Sequence, residues 1–312
     1  MEFAIAAVIF LLIFLNGATD ACGSIATAVC SGALSLRRGA ILCGVCNGIG
    51  GLCGVWLFDG IGESVLSAWD FGTSDKIGVL TSLTVTVLFA LIAWIVALPT
   101  SESHALLAAA AGASAALSGN GSVFSALLPS ILWMSLCVLA GAVAGTFLPR
   151  FLPLKLRPAA VRRWQIVSAG ASSFLHGVQD LSKFCAFLSL VGVSAHHPAL
   201  LLFGAGIMGI GSLCGGRRMT DAVGDALAEL RPRPALAADL ACDVALLALS
   251  LGGIPASTTH TKTAAVAAVA AVSADCRIHK RQFLRCIAAW VITFPVCGAW
   301  GYFLARILFA IL

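Results

Sequence analysis

Two short polar stretches interrupt an otherwise apolar sequence, and each of them occurs twice. The first reads GATD at residues 17–20 and returns as GVQD at residues 177–180. The second reads LPTSESH at residues 98–104 and returns as IPASTTH at residues 254–260. The copies keep the same order and lie 160 and 156 residues apart, so both pairs belong to one internal duplication. We therefore expect two related halves.

The sequence around these motifs has the composition of a helical membrane protein. Of its 312 residues, 60% are hydrophobic and only 11% are charged, whereas a soluble domain has roughly 25% charged residues. This composition excludes an ordinary cytosolic enzyme, a disordered chain and a nucleic-acid-binding protein. Long continuous apolar runs also exclude a transmembrane barrel, whose strands alternate apolar and polar residues. At ~20 residues per span, we predict an all-α polytopic membrane protein with about 10–12 membrane segments.

The basic residues predict how the two halves are oriented. Cytoplasmic loops collect Lys and Arg, and four loops hold 15 of the 19 Lys and Arg: 37–38, 150–163, 217–233 and 277–285. With all four on the cytoplasmic side, each half crosses the bilayer an odd number of times and both termini are external. Such halves are inverted-topology repeats, an arrangement typical of secondary transporters.

This arrangement predicts the boundaries of the repeats. We expect a first repeat over 1–149, a basic cytoplasmic linker over 150–163 and a second repeat over 164–312, all in one membrane domain. The interrupted segments 3–36 and 164–195 are too long for one simple span. We therefore expect broken, tilted or partly re-entrant helices there.

Ten ionisable side chains lie at or near membrane depth. A charge at the bilayer centre costs ~2.5–3.5 kcal/mol, so ten charges facing lipid would exceed the ~5–15 kcal/mol margin of a fold. These side chains must face the protein interior or a wet cavity, be paired, or lie nearer the interface. They are Asp20, Glu102, His104, His176, Asp180, Lys183, Asp239, Asp243, His260 and Lys262.

The repeated motifs suit an anion. Glycine allows a helix to open, and exposed backbone is tolerated at membrane depth only where it lines a cavity. A helix N-terminus then offers N–H donors and partial positive charge.

The alternative for residues 17–20 and 177–180 is a glycine kink with an N-capping Asp. In the second motif, proline and hydroxyl residues suit a helix start, and they would serve an oxyanion, Na⁺ or ordinary capping. We expect His104 and His260 to pack or cap rather than bind ligand.

The carboxylates indicate the chemistry. Asp20 and Asp180 would repel an anion unless cations or protons neutralise them. Binding Na⁺ or H⁺ together with the anion solves this problem and couples cation entry to anion entry. A carboxylate also accepts a hydrogen bond from a protonated phosphate oxygen, whereas sulfate at neutral pH has no proton to donate.

At these motifs the chain resembles the inorganic phosphate transporter (PiT) family, whose members carry GAND and LPVSTTH in each half. The resemblance spans almost the whole chain and implies inverted repeats, a homodimer and cation-coupled phosphate uptake by alternating access. It places one helix-tip site at Ser257, Thr258 and Thr259. The other helix tip would carry Ser101, Glu102 and Ser103, with Asp20 and Asp180 shared between substrate and cation sites.

Several residues depart from the family pattern. Thr19 and Gln179 replace the family Asn residues but keep their expected place in the substrate site, and Glu102 replaces a hydroxyl residue. The expected cation-coupling residues are Asp20, Asp180, Glu102, Asn47 and Asp239, and the expected charge partners are Lys183 and Lys262. Our hypothesis is H⁺ coupling or a mixed mechanism, with Glu102 paired to Lys262. The alternative is unchanged Na⁺ coupling.

We therefore predict a bacterial inner-membrane secondary transporter that imports inorganic phosphate with Na⁺ or H⁺ and needs no cofactor. The nearest alternative is the same fold carrying another oxyanion such as sulfate. A remote alternative is an intramembrane metalloenzyme using His104, His176 and His260, although the chain has no H-E-x-x-H motif. A receptor or purely structural protein would have no evident use for duplicated intramembrane carboxylates.

Overall fold

The computed structural model describes residues 1–96, 98–118, 123–153, 156–215, 217–223, 227–274 and 276–312. The first half of this part of the chain contains seven α-helices: α1 Glu2–Thr19, α2 Cys22–Cys30, α3 Leu36–Leu57, α4 Gly60–Leu66, α5 Asp75–Ile95, α6 Glu102–Leu117 and α7 Val123–Phe147. A short 3₁₀ turn, Leu148–Arg150, follows α7.

The second half repeats this order with small additions. Its elements are α8 Pro158–Ser189, α9 Pro198–Cys214, α10 Arg217–Val223, β1 Ala228–Glu229, α11 Pro232–Leu251, α12 Thr258–Val272, β2 Arg277–Ile278 and α13 Lys280–Ile311. Proline occupies the first turn of α8, α9 and α11, where its missing N–H costs nothing. Six of the described helices or helix pairs are long and apolar enough to cross a membrane, so the prediction of an all-α polytopic membrane protein is confirmed.

Two of the helices that are too short to cross the bilayer, α6 and α12, are equivalent in the two repeats. The 16 residues of α6 and the 15 residues of α12 extend only about 24 and 22 Å at ~1.5 Å per residue, against a hydrocarbon core of ~30 Å. Both are buried along nearly their whole length. They follow α5 and α11 through the two proline motifs and form two re-entrant arms. The sequence predicted broken or re-entrant helices elsewhere, at 3–36 and 164–195: the first is interrupted between α1 and α2, whereas α8 is continuous. The antiparallel pair β1–β2 joins the start of α11 to the end of α12.

The two repeats exchange helices. From the first repeat, α3 packs on α8 and α7 packs on α12. From the second repeat, α9 packs on α1 and α13 packs on α6 in the equivalent way. Helices α3 and α9 also pack against each other. Because each repeat completes the packing of the other, neither re-entrant helix is buried by its own half alone.

The glycines of the GxxD motifs allow this close packing. The sequence-based expectation was that both glycines would open a helix, but Gly177 lies inside the continuous α8 and Gly17 lies inside α1. The break between α1 and α2 comes only after Thr19, and no Asp side chain caps α2. A Cβ on Gly17 would overlap the carbonyl oxygen of Met208, and one on Gly177 would overlap that of Asn47. The expected Asp cap is absent from both motifs, and the expected opening occurs only at the first, where the helix is interrupted at Asp20–Ala21. Both glycines serve contacts between the repeats.

The ionisable side chains and the predicted linker lie where the packed helices place them. Nine of the ten ionisable side chains at membrane depth are buried, and Asp243 is half-buried, so the prediction that they face the protein interior is confirmed. The segment predicted as a linker, 150–163, is partly helical, because α8 already begins at Pro158. The boundaries of the two repeats remain predictions.

A matched pair of glycine substitutions tests the packing. Gly177→Ala adds a methyl group against the Asn47 backbone, whereas Gly206→Ala adds one where no atom lies within 4 Å. We expect Gly177→Ala to cost about 1–3 kcal/mol of unfolding free energy through overpacking. Gly206→Ala should be neutral or stabilising, since Ala exceeds Gly in helix propensity by ~1 kcal/mol. The measurement is thermal unfolding of the purified proteins, and equal midpoints for the two variants would contradict this account.

Candidate functional site

The two re-entrant helices begin in the same way at the centre of the molecule. Ser101 caps α6 and accepts a hydrogen bond from the backbone N–H of His104 at 3.3 Å. Ser257 caps α12 and accepts one from the N–H of His260, also at 3.3 Å. The backbone at both serines is extended, as a residue preceding a helix requires. The proline motifs therefore end each re-entrant turn with a serine cap, as the sequence predicted.

Each repeat supplies an aspartate that binds the helix tip of the other repeat. The hydroxyl of Thr259 donates to Asp20. The hydroxyl of Ser103 donates to Asp180 at 2.9 Å. Ser103 and Thr259 occupy equivalent positions in the two tips, so the two contacts are related by the pseudo-symmetry of the repeats. These bonds place both aspartates and both tips in one buried cluster.

Asp180 is the most heavily bonded carboxylate of this cluster. Its oxygens accept hydrogen bonds from Asn16 at 2.8 Å and from Lys183 at 2.7 Å, in addition to Ser103. The Nε2 atom of His176 lies 3.2 Å away. Lys183 also donates to Ser103 and to the carbonyl of Ala256, each at 2.7 Å. The buried ammonium group therefore joins the two helix tips to Asp180.

Sequence reasoning missed Asn16. The signal was present, because it is an amide residue at the end of the apolar α1, four residues before Asp20. It stands at the position equivalent to His176 in the second repeat, with the same offset of 160 residues that separates the GxxD motifs. Both side chains contact Asp180, so the two repeats converge on this carboxylate.

The predicted pair between Glu102 and Lys262 is not formed. Glu102 is the first residue of α6, and its carboxyl contacts the Thr19 hydroxyl. Lys262 lies one turn inside α12 and pairs with Asp239 of α11, which also accepts a hydrogen bond from Thr27. The prediction fails because the Lys262 ammonium, one turn after the tip, pairs with Asp239 on the neighbouring helix of its own hairpin.

The remaining predicted site residues fall around this cluster. The amide of Asn47 donates to Ser212 at 3.2 Å, and its oxygen lies 3.0 Å from Nδ1 of His176. Asn47 therefore reaches Asp180 only through His176. Asp239 lies apart, with Lys262. Among the predicted cation-coupling residues, the structure brings Asp20, Asp180 and Glu102 together and leaves the other two farther away.

Gln179 is occupied by contacts within its own repeat. Its amide nitrogen donates to Ser250 at 2.8 Å and to the carbonyl of Ile254 at 3.2 Å. Its amide oxygen accepts from the N–H of Ala256 at 2.8 Å. Both ends of the amide thus fix the turn before α12, which differs from the substrate contact expected for this residue. Thr19 is too short to fix the equivalent turn and contacts Glu102 instead.

The two motif histidines hold the tips together through their rings. The ring centroids of His104 and His260 are 5.3 Å apart. The ring centroid of Phe294 on α13 lies 3.8 Å from that of His104, and the ring centroid of Trp290 lies 4.1 Å from that of His260. Both histidines therefore pack, as expected from the sequence. His176 instead lies with Asp20 and Asp180, and one ligand atom from each of these three residues lies within 4.8 Å of the others.

A small space adjoins Asp20. It has a volume of about 10 Å³, which is close to the minimum that holds one water molecule. The described residues that line it come from α12 and from α2, α8, α11 and the turn before α2: Asp20, Gly23, Ser24, Ser172, Cys242, Leu246, Thr258, Thr259 and Lys262. An oxyanion needs more room, so access to this site requires the surrounding helices to move.

Comparison with known proteins agrees with this architecture. The profile of the phosphate transporter family matches twice, over residues 16–158 and 153–301. The chain belongs to the phosphate transporter family. A probable low-affinity inorganic phosphate transporter of Bacillus subtilis is 27% identical, over 95% of this chain and 94% of the relative. Human sodium-dependent phosphate transporter 2 is 32% identical over 145 residues, which are 43% of this chain and 22% of the relative.

A solved structure shares the fold of the whole chain. The structure titled the sodium-dependent phosphate transporter superposes with a TM-score of 0.82 at 19% identity, and the match covers 99% of both chains. This likeness confirms the predicted fold of two inverted repeats. The family and its members are transporters, so the prediction that the chain is a transporter rather than an enzyme is confirmed as well, and the metalloenzyme alternative is dropped.

The buried ion pair makes a testable contribution to stability. Lys262→Met leaves Asp239 buried without its cation, and we expect a loss of about 3–5 kcal/mol. The double variant Lys262→Met/Asp239→Leu should recover most of this loss, because a well-packed apolar pair replaces the ions. Lys76→Met is the matched control, since Lys76 pairs with Glu2 at the surface and such pairs contribute ~0–1 kcal/mol.

Chemical denaturation of the wild type and the three purified variants would measure these differences. If Lys262→Met unfolded at the same denaturant concentration as Lys76→Met, the buried pair would have no structural importance.

Proposed function

We propose that this chain imports inorganic phosphate by cation symport, through one central site that opens to each side of the membrane in turn. The observation that carries the proposal is the reciprocal pair of contacts, Asp20 with Thr259 and Asp180 with Ser103. These contacts lie between the two repeats, and inverted repeats that move against each other around a midplane site produce alternating access. Family membership supports phosphate as the substrate.

The helix tips supply the proposed phosphate ligands. Phosphate would dock against the N–H groups at the starts of α6 and α12, where the partial positive charge of a helix favours an anion. The proposed contacts are the side chains of Ser101, Ser103, Ser257, Thr258 and Thr259, with Thr19 and Gln179 as neighbours. Lys183 would add a charge-assisted donor, because its ammonium already contacts Ser103.

The charge balance of the cluster supports cation coupling. Asp20, Asp180 and Glu102 face one ammonium group, that of Lys183, among the described residues of the cluster. A doubly charged phosphate would add to this negative charge in a buried site, where unpaired charges are costly. Sodium ions or protons entering with phosphate would compensate the excess. Asp20 and Asp180 are the proposed Na⁺ ligands, since hard cations prefer oxygen donors.

Glu102 is the proposed proton carrier. Thr19 has one hydroxyl hydrogen, and its oxygen lies within hydrogen-bonding distance of both the Leu15 carbonyl and the Glu102 carboxyl. A protonated Glu102 would donate to Thr19 and leave the Thr19 hydrogen for Leu15, so all three groups would be satisfied. The second carboxyl oxygen of Glu102 has no hydrogen-bond partner among the described residues. These contacts support H⁺ coupling in addition to Na⁺, which a human relative uses by its name.

The other parts of the proposal follow from the sequence. The four basic loops would face the cytoplasm, both termini would be external, and the chain would work as a homodimer in a bacterial inner membrane. Another oxyanion such as sulfate is the second candidate substrate. The buried carboxylates favour phosphate, because a protonated phosphate oxygen can donate a hydrogen bond to them and sulfate cannot.

Replacing either aspartate should strongly reduce transport without unfolding the protein. Asp20→Asn and Asp180→Asn keep the shape of the side chain and remove its charge. Each loses charge-assisted hydrogen bonds worth ~1.5–3 kcal/mol, so we expect phosphate uptake to fall by about 10–100-fold. Uptake of labelled phosphate into proteoliposomes measures the effect, and Asp59→Asn, at an exposed position, is the matched control. Normal uptake by either buried variant would remove that aspartate from the mechanism.

The coupling ion can be resolved with the same vesicles. We expect a Na⁺ gradient at constant pH to drive uptake in the wild type and in Glu102→Gln. A pH gradient without Na⁺ should drive uptake in the wild type only, because Gln cannot carry the proton. Excess unlabelled sulfate in a parallel series would identify the preferred oxyanion. If Glu102→Gln responded to the pH gradient like the wild type, Glu102 would not be the proton carrier.

A further inference from the structure

A large cavity lies on the side of the molecule that carries the basic loops. Its volume is about 840 Å³, within the usual range for small-molecule sites. Both repeats build it, from the turn after α2, the end of α7, the first turns of α8 and α11 and the end of α12. It is separate from the central cluster of aspartates and helix tips, which shares no lining residue with it.

The cavity wall is basic. Four arginines line it, Arg150, Arg162, Arg231 and Arg233, and no Asp or Glu is present among the described lining residues. Backbone carbonyls hold two of the guanidinium groups: Arg162 donates to Ala33 at 3.0 Å, and Arg233 donates to Leu152 at 2.7 Å. A guanidinium has five N–H donors, so each of these groups keeps donors for a ligand.

A buried amide adds a second, independent sign of a ligand site. Gln165 of α8 lines the cavity and is 1% exposed. Its amide oxygen accepts a hydrogen bond from Ser31 at 3.2 Å, but its amide nitrogen has no partner among the described residues. A buried polar group without a partner is rare and costly. An acceptor in the cavity would satisfy this nitrogen together with the arginines.

Polar residues connect the cavity with the central site. Ser31 lines the large cavity and also a second small space of about 10 Å³ next to Thr27. Thr27 donates to Asp239, and Asp239 pairs with Lys262. Lys262 in turn lines the small space beside Asp20. The ion pair of Lys262 and Asp239 therefore lies between the central cluster and the arginine-lined cavity.

We propose that this cavity binds a phosphate group through Arg162, Arg233 and the amide nitrogen of Gln165. Guanidinium groups recognise phosphate by paired, charge-assisted hydrogen bonds. The group can belong to free phosphate that has left the central site, in which case the inference rests on the proposed function. It can equally belong to an anionic phospholipid, since basic cavities between membrane helices on the cytoplasmic side bind such headgroups.

The experiment separates this cavity from the central site. Asp180→Asn is introduced as a background in the full chain, reconstituted in phosphatidylcholine nanodiscs, so that the central cluster is disabled. Calorimetric titration with inorganic phosphate then measures the remaining binding. We expect Arg162→Gln/Arg233→Gln to weaken it by at least about tenfold through the loss of charge-assisted donors. Arg281→Gln/Arg285→Gln, at exposed basic positions outside the cavity, is the matched control and should bind phosphate unchanged.

A second arm tests the lipid. Thermal unfolding is compared in phosphatidylcholine nanodiscs with and without phosphatidylglycerol. A rise in the midpoint that disappears in Arg162→Gln/Arg233→Gln but persists in the control variant identifies the headgroup as the occupant. If Arg162→Gln/Arg233→Gln does not fold, Arg162→Lys/Arg233→Lys replaces it, because it retains both charges. This variant should bind the phosphate group more weakly than the wild type, because the paired donors of the guanidinium groups are lost.

The proposal is supported if either probe shows the arginine-dependent response. It is overturned if neither phosphate nor phosphatidylglycerol has any effect, or if the control variant loses the effect equally. Failure of phosphate transport by the wild type would refute the proposed function and leave the lipid arm valid.

Discussion

The structure depends on two carboxylates that would be unstable in a membrane if they were not shared between the repeats. Asp20 comes from the first repeat and is held by Thr259 of the second, while Asp180 comes from the second and is held by Ser103 of the first. An ionisable group at membrane depth must be bonded inside the protein. Because each aspartate is bonded by a hydroxyl of the other repeat, the two halves have to assemble around one centre.

The exchange of helices and the choice of small residues follow from this requirement. Lipid gives little hydrophobic driving force between helices, so close van der Waals packing has to hold them together. Gly17 and Gly177 let α1 and α8 touch the backbones of α9 and α3, and this brings the following aspartates to the interface of the repeats. Gly112 and Gly141 have the same role for α6 and α7. The glycines thus position the carboxylates rather than open the helices.

The sequence predicted the fold well because the duplication and the basic loops are patterns over the whole chain, and they can be recognised without knowing where any side chain lies. The helix caps at Ser101 and Ser257 were also predictable, since capping depends on residues next to each other in the chain. The partner of Lys262 was not, because Glu102 and Asp239 were both acidic candidates and only the direction of α12 decides between them. The commitment of Gln179 to the turn before α12 and the contact of Asn16 with Asp180 likewise required the packed structure.

The two halves differ where their pseudo-symmetry would place a cation. Lys183 follows Asp180 by three residues and contacts it at 2.7 Å, whereas Gly23 follows Asp20 by three residues and has no side chain. Gly23 and Asp20 line the small space at the tip of α12, and no Lys or Arg pairs with Asp20 in the part of the chain that the structure describes. Asp180 therefore has a permanent counter-charge, whereas in the proposed cation symport Asp20 would obtain one from solution. A mobile cation beside Asp20 would take the place that Lys183 holds in the other repeat, and it could leave each time the site opens. Under the proposed cation symport, only one of the two pseudo-equivalent carboxylates would need to exchange its counter-ion, so a duplicated site would work asymmetrically.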